Sequence, residues 1–150
     1  MRFCVDASVH LNAIHRTEEG SDASRAFLAG VHRPPSSSDP PRHEAFVPTL
    51  LVVEVAASVA RIFDDSERGA ALAEAVWHLP HQFWIPLDEA LAREAQHLAS
   101  RDRLRGADAV YAAVAARFDA TLVTRDRQQL ERITAGLRVT TPEGALQSSF

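Results

Sequence analysis

Lysine is absent from this chain: all 16 of its basic residues are arginine. Every cation is therefore a planar guanidinium, suited to bidentate contacts with phosphate or carboxylate. Together with the abundant alanine, the bias also fits a GC-rich coding sequence. Cysteine occurs once, at Cys4, so no internal disulfide can form, which fits a reducing compartment. No apolar run approaches the roughly 18 residues that a membrane span needs. The opening MRFCVDASVH has an acid at position 6 and no long apolar region, so it does not read as a secretory signal. These absences predict a cytoplasmic protein with no membrane segment. Excess positive charge is missing too: the net charge is −4, which by itself gives no support for nucleic-acid binding. At 150 residues with 46% hydrophobic content, one domain is expected over 1–150. No internal repeat is visible.

The most informative stretch is Leu104 to Leu130, which reads helix, turn, strand, turn, helix. Ala107 to Phe118 is rich in helix formers, with Val110, Tyr111, Val114 and Phe118 at three- and four-residue steps. Asp119 and Ala120 make the turn, and Ala120 to Thr124 is short and β-branched, as a strand covered on both faces should be. Asp126 is placed to cap the next helix, and Gln129 stands at capping-box distance.

The rest of the chain repeats the alternation. Arg2 to Val5 reads as the first strand, and Asp6-Ala7-Ser8 opens a helix to about Ile14. Ser21 is expected to cap a helix over 22–31. Residues 32–44 hold four prolines and three serines and predict a mobile surface loop, too near the start of the chain to be a domain linker. Ala45 to Val47 predicts a strand stopped by Pro48, and Thr49 a cap for a helix to about Phe63. The spacing of Asp64 and Glu67 predicts a capping box and a helix to about Leu79. A strand over Gln82 to Pro86 follows, then a helix from Glu89 to about Arg101 capped by Asp88. Leu137 to Thr140 predicts the last strand, and 147–150 a frayed tail. Strands alternating with helices predict an α/β fold with a mostly parallel sheet of short strands.

Four acids stand out: Asp6, Glu54, Asp108 and Asp126. Each has an ordinary role open to it: a turn acid, a helix-edge glutamate, a charge favouring a helix dipole, an N-cap. Together they suggest more. Asp6 and Asp126 follow strands at their carboxyl ends, where ligand sites of open α/β sheets gather. Glu54 and Asp108 lie one turn into their helices. Carboxylates converging on one sheet edge repel and raise one another's pKa, which a divalent cation relieves. All-oxygen ligation suits Mg²⁺ or Mn²⁺ rather than Zn²⁺. Cys4 is expected to point into the core without a histidine partner. Pro80 separates His78 from His81, so surface histidines are expected in place of a zinc site. Arg101, Arg103 and Arg105 before Asp108, and Arg125 and Arg127 around Asp126, read either as a solvated helix end or as a guanidinium rim for RNA phosphates.

The motifs FCVDAS, the Glu of LLVVEVAASV, the Asp of RGADAVYAAVA and the exit ATLVTRD resemble, in order and spacing, those of PIN-domain ribonucleases. More narrowly, they resemble the toxins of VapBC-type toxin–antitoxin pairs. The resemblance covers nearly the whole chain. It implies a PIN-like three-layer α/β/α sandwich and an endoribonuclease using Mg²⁺ or Mn²⁺. Asp6, Glu54, Asp108 and Asp126 would be the catalytic, metal-holding quartet, with Ser8 and Thr124 in support. By their nearness to these acids, and apart from the resemblance, Arg103, Arg105 and Arg125 are the candidate RNA contacts. The resemblance further implies a VapB-type antitoxin partner and a homodimer. An RNA-processing nuclease without antitoxin and a non-catalytic PIN-like binding module are the alternatives. A haloacid-dehalogenase phosphatase is disfavoured, because Ser8 stands where its second aspartate would be.

Overall fold

The computed structural model describes residues 1–34, 42–133 and 136–149. Five strands and eight helices are present among them, in the order β1 (Arg2–Val5), α1 (Ala7–Ile14), α2 (Ser21–Val31), β2 (Glu44–Pro48), α3 (Leu50–Phe63), α4 (Ser66–Trp77), β3 (Gln82–Ile85), α5 (Glu89–Asp102), α6 (Gly106–Arg117), β4 (Thr121–Val123), α7 (Arg127–Arg132), β5 (Val139–Thr140) and α8 (Pro142–Ser149). The sheet runs β3-β2-β1-β4-β5 and every pairing is parallel. The chain winds outward from β1 through β2 to β3, then returns to build β4 and β5 on the other side. The order therefore reverses at β1, and the crevice between the carboxyl ends of β1 and β4 is the switch point of the sheet.

Both faces of the sheet are covered, as the short apolar strands require. Phe3, Cys4 and Val5 are all buried. Successive strand side chains point to opposite faces. Cys4 donates its S–H to the carbonyl of Tyr111 in α6, while the Phe3 ring meets Phe27 of α2 edge to face. Helix α6 thus lies on one face and α2 on the other, giving three layers. Residues 108–115 of α6 are buried without a break, because the sheet lies beneath α6 and α5 packs over it. The α3–α4 hairpin closes around Gly69, where a Cβ would lie 2.6 Å from the Ala56 carbonyl oxygen.

Several local expectations change. Strand β2 runs through Pro48 rather than stopping before it. Glu44 donates to Met1 on the β1 side, whereas Ala45 and Thr49 donate to the β3 side. The missing N–H of Pro48 thus falls on the β1 side, beyond the Phe3–Ala45 pair. Ser21 lies inside α2. The cap is Gly20, left-handed at φ 75°, and Ser21 Oγ accepts from Arg25 instead. Thr49 makes no side-chain cap. Asp65, not Asp64, caps α4 by accepting from the Arg68 N–H at 2.9 Å, because Asp64 turns left-handed to end α3. Helix α4 stops at Trp77, β3 at Ile85, and β5 is only Val139–Thr140.

The tail expected to fray over 147–150 is folded as far as Ser149: these residues close α8, which buries Ala145 and packs on α2. Thr141 starts that helix by accepting from the Gly144 N–H at 3.3 Å, with Pro142 at the position where a missing N–H costs least. Most of the loop expected over 32–44 lies outside the described residues, and Glu44 belongs to β2. Of the seven histidines expected at the surface, His10, His32 and His43 are buried.

Candidate active site

Asp6 leaves β1 at the switch point and caps α1. Its Oδ2 accepts from the Ser8 hydroxyl, from the Ser8 N–H at 3.4 Å and from the Thr124 hydroxyl at 2.9 Å. Its backbone N–H extends the β1–β4 ladder by donating to the Val123 carbonyl at 3.0 Å. Thr124 and Ser8 stitch the two strand exits together. Thr124 Oγ1 accepts from the Asp126 N–H at 2.9 Å, and Ser8 Oγ accepts from the Arg125 N–H at 2.9 Å. Burial pushes the Asp6 carboxyl up, against the lowering by the Ser8 and Thr124 bonds, and Asp126 adds to the rise.

Asp126 caps α7, its Oδ1 accepting from the N–H groups of Gln128 at 2.7 Å and Gln129 at 3.2 Å. Its Oδ2 faces Arg105 at 3.6 Å. Asp108 lies in the first turn of α6 and is 8% exposed. Its Oδ1 accepts from Gln129 Nε2 at 3.2 Å, while its buried Oδ2 has no hydrogen-bond partner among the described residues. Burial, with Asp126 and Asp6 nearby, raises its pKa to about 6, against the opposing charge of Arg105. Glu54 accepts from the buried Tyr111 hydroxyl at 2.6 Å. Burial raises its pKa against that bond, and Asp6 and Asp108 raise it further.

The fold thus brings all four sequence-predicted acids into one electrostatic neighbourhood. Asp6 feels Asp126, Asp108 feels both, and Glu54 feels Asp6 and Asp108. The positive ends of α1, α6 and α7 point into the same crevice. The expected closing of four carboxylates on one ion is not met: among the described residues no group of three or more His, Cys, Asp or Glu side chains is arranged to enclose a metal. The donors are nonetheless all hard oxygens, and Asp108 Oδ2 is buried and uncompensated. That set fits a small divalent cation that binds one or two carboxylates and keeps several waters, as Mg²⁺ does.

The arginines divide. Arg105 stands at the mouth beside Asp126, and Arg103 is exposed at the end of α5, its carbonyl accepting from Arg132. Arg101 pairs with Asp102, and Arg127 with Glu131. Arg125 is turned inward. Its guanidinium donates to Ser24 Oγ at 2.9 Å, to the Gly20 carbonyl at 2.5 Å and to Glu143 of α8 at 2.7 Å. It therefore leaves the rim expected of it and clamps α2 and α8 to the strand exit. A groove of about 830 Å³ runs from Ser8 and Asp126 past Asn12, His15 and Glu18 to Ile62. Cys4 takes no part, as burial drives its thiol well above the usual range. His78 and His81 have separate partners, Glu74 and the Arg33 carbonyl.

Sequence reasoning missed Tyr111, Gln129, Gly20 and Glu143. Tyr111 read as one more apolar position of α6, and Gln129 as a capping-box residue. Its carboxamide points at Asp108 instead, because the Asp126 N–H is already taken by Thr124.

The PIN domain family matches residues 3–135. A search of curated proteins gives no match. Among solved structures, a Mycobacterium tuberculosis toxin, VapC20, described as cleaving the sarcin–ricin loop, superposes with TM-score 0.68 at 17% identity, covering 92% of this chain and 99% of its own. VapBC2 from Rickettsia felis, bound to a DNA fragment from its promoter, gives TM-score 0.64 at 14% identity, covering 94% and 98%. PAE2754 from Pyrobaculum aerophilum gives 0.65 at 20%, covering 98% and 88%. At these identities the likeness is one of fold.

Proposed function

The chain belongs to the PIN-domain family, and from that premise we propose that it is a metal-dependent endoribonuclease, the toxin of a toxin–antitoxin pair. The observation that carries the reading is Asp108 Oδ2, a buried carboxylate oxygen without a partner among the described residues, beside three further acids at the sheet's switch point. A cation received there would offset what the fold spends on such a group. One or two of Asp6, Asp108 and Asp126 would hold Mg²⁺ or Mn²⁺ directly, with the remaining acids, Glu54 among them, reaching it through water. When bound, that ion supplies a polarised phosphoryl oxygen and a water acidic enough to act as nucleophile.

The chain's own residues do the rest. Ser8 and Thr124 fix the rotamer of Asp6, Tyr111 fixes that of Glu54, and the α7 amides fix that of Asp126. Arg105 and Arg103 meet RNA phosphates at the mouth and hold the scissile bond against the acids. Arg125 serves the site as a clamp. Residues 1–150 act as one domain, since α8 beyond the family match ties back to the site through Glu143. A cytoplasmic setting suits an RNA substrate, and no described helix is long and apolar enough to cross a membrane. A VapB-type antitoxin partner is supported by solved structures of VapBC complexes with the same fold. Self-association through α3, where Val53 and Ile62 lie exposed, completes the proposal.

Cleavage of structured RNA by the purified chain, with and without EDTA, tests it. EDTA should abolish cutting. Asp6→Asn should cut more than about 100-fold more slowly, beyond the loss typical of residues that merely support metal ligands. Cutting that survives EDTA, or an Asp6→Asn protein as active as wild type, refutes the mechanism.

A further inference from the structure

Gln129 is 0% exposed, the one buried residue of the short helix α7. An apolar side chain would be the ordinary occupant of such a position. Gln129 instead holds two acids at once. Its backbone N–H donates to Asp126 Oδ1 at 3.2 Å and its Nε2 donates to Asp108 Oδ1, also at 3.2 Å. Each carboxylate is thereby gripped by one oxygen and leaves the other uncommitted by Gln129. Asp108 Oδ2 has no partner among the described residues, and Asp126 Oδ2 faces Arg105. The Gln129 Oε1 is itself buried and has no partner among the described residues, which costs the folded chain stability. A polar group kept at such a cost, and bonded among the described residues to a neighbouring acid alone, is explained by what it does to that acid.

We propose that Gln129 is a positioning residue that sets the spacing of Asp108 and Asp126 and turns Asp108 Oδ2 toward the bound cation. The inference rests on the metal-dependent reading above and adds a residue to it. The grip comes from a six-residue helix that Asp126 itself caps, so Asp126 and the side chain that bonds Asp108 are carried on one helix. Partners of this kind raise metal affinity because they orient a ligand oxygen before the ion arrives.

The test is Mn²⁺ binding to the purified chain by electron paramagnetic resonance, which needs no substrate, with thermal unfolding measured alongside. Gln129→Met keeps the side chain's length and removes the donor, and Gln129→Leu is a second apolar replacement. Both should remain folded and bind Mn²⁺ roughly 10-fold more weakly. In an Asp108→Ala background, Gln129→Met should weaken binding no further, whereas a merely structural role would add its loss in both backgrounds. Mn²⁺ binding by Gln129→Met equal to wild type overturns the inference while the metal reading stands. Failure of both apolar variants to fold also overturns it, because the carboxamide would then be serving the fold. Wild type that binds no Mn²⁺, or Asp108→Ala that binds it as wild type does, overturns the metal reading itself.

Discussion

Replacing Gly20 by alanine strikes the clamp that joins α2, α8 and the strand exit. Gly20 sits at φ 75°, where an L-residue costs about 1–2 kcal/mol. A Cβ there falls within the guanidinium of Arg125. The guanidinium is the end of a flexible side chain and swings away, but in doing so it disturbs its bonds to the Gly20 carbonyl, Ser24 and Glu143. Hydrogen bonds to charged groups contribute about 1.5–3 kcal/mol each. Glu143 is 43% exposed, so only the lower end for one bond is counted. Strain and lost bonding together come to about 3 kcal/mol. For a chain of this size each kcal/mol moves Tm by about 2–4 °C, so Gly20→Ala should melt about 6–12 °C lower by circular dichroism. In an Arg125→Met background the same change should cost only the backbone strain, about half as much, because nothing is left to displace. A Gly20→Ala protein melting within about 2 °C of wild type would refute the clamp. An equal loss in both backgrounds would show that the guanidinium is a bystander.

Asp108 titrates near pH 6 in the folded chain, above its unfolded value of 3.8, so it binds more protons folded than unfolded. Its contribution is fully present below 3.8 and is lost as pH rises through 6, so Asp108→Asn should raise the Tm of the metal-free chain at pH 7.5 and much less at pH 4.5; an equal shift at both would sink that account. Burial, with His32 nearby, lowers His10 to about 3 from 6.5, so the unfolded chain binds the extra proton between those values. The His10 contribution alone should fall with a slope of up to about 1.4 kcal/mol per pH unit as pH drops below 6.5, opposite in sign to that of Asp108, and denaturant titrations of His10→Phe should lose less stability on acidification than wild type. Tyr111→Phe removes the bond to Glu54 and should weaken Mn²⁺ binding less than Asp108→Ala does, read by the same resonance assay. Cys4 should react with a thiol reagent only on unfolding; a fast native reaction would contradict its burial.

What the sequence made legible was the part governed by local rules. Asp6 and Asp126 follow short apolar runs, so their place at strand ends could be read directly, as could the cap that Asp126 makes. The capping-box reading of Gln129 failed because Thr124 had already satisfied the Asp126 N–H, a tertiary fact. The start of α4 was misread by one residue because Asp64 and Asp65 offer the same chemistry, and only the left-handed turn chooses between them. Helix α8 went unread, although Thr141 and Pro142 stand at its start. Arg125 was assigned to the rim by nearness in sequence to Asp126, whereas Gly20, 105 residues away, decides where it points. The buried histidines had no local mark at all.

The pairing of β1 with β4 has a consequence in time. Asp6 and the Thr124 hydroxyl that orients it are 118 residues apart. At ribosomal speeds of about 5–20 residues per second, Asp6 leaves the peptidyl-transferase centre roughly 6–24 s before Asp126 is joined to the chain. A nascent chain that ends after α6 already carries three of the acids, yet β1 has no neighbour on that side and no crevice exists to gather them. If the chain cuts RNA as proposed, the order of the strands keeps it harmless to the ribosome while its first 120 or so residues are being made.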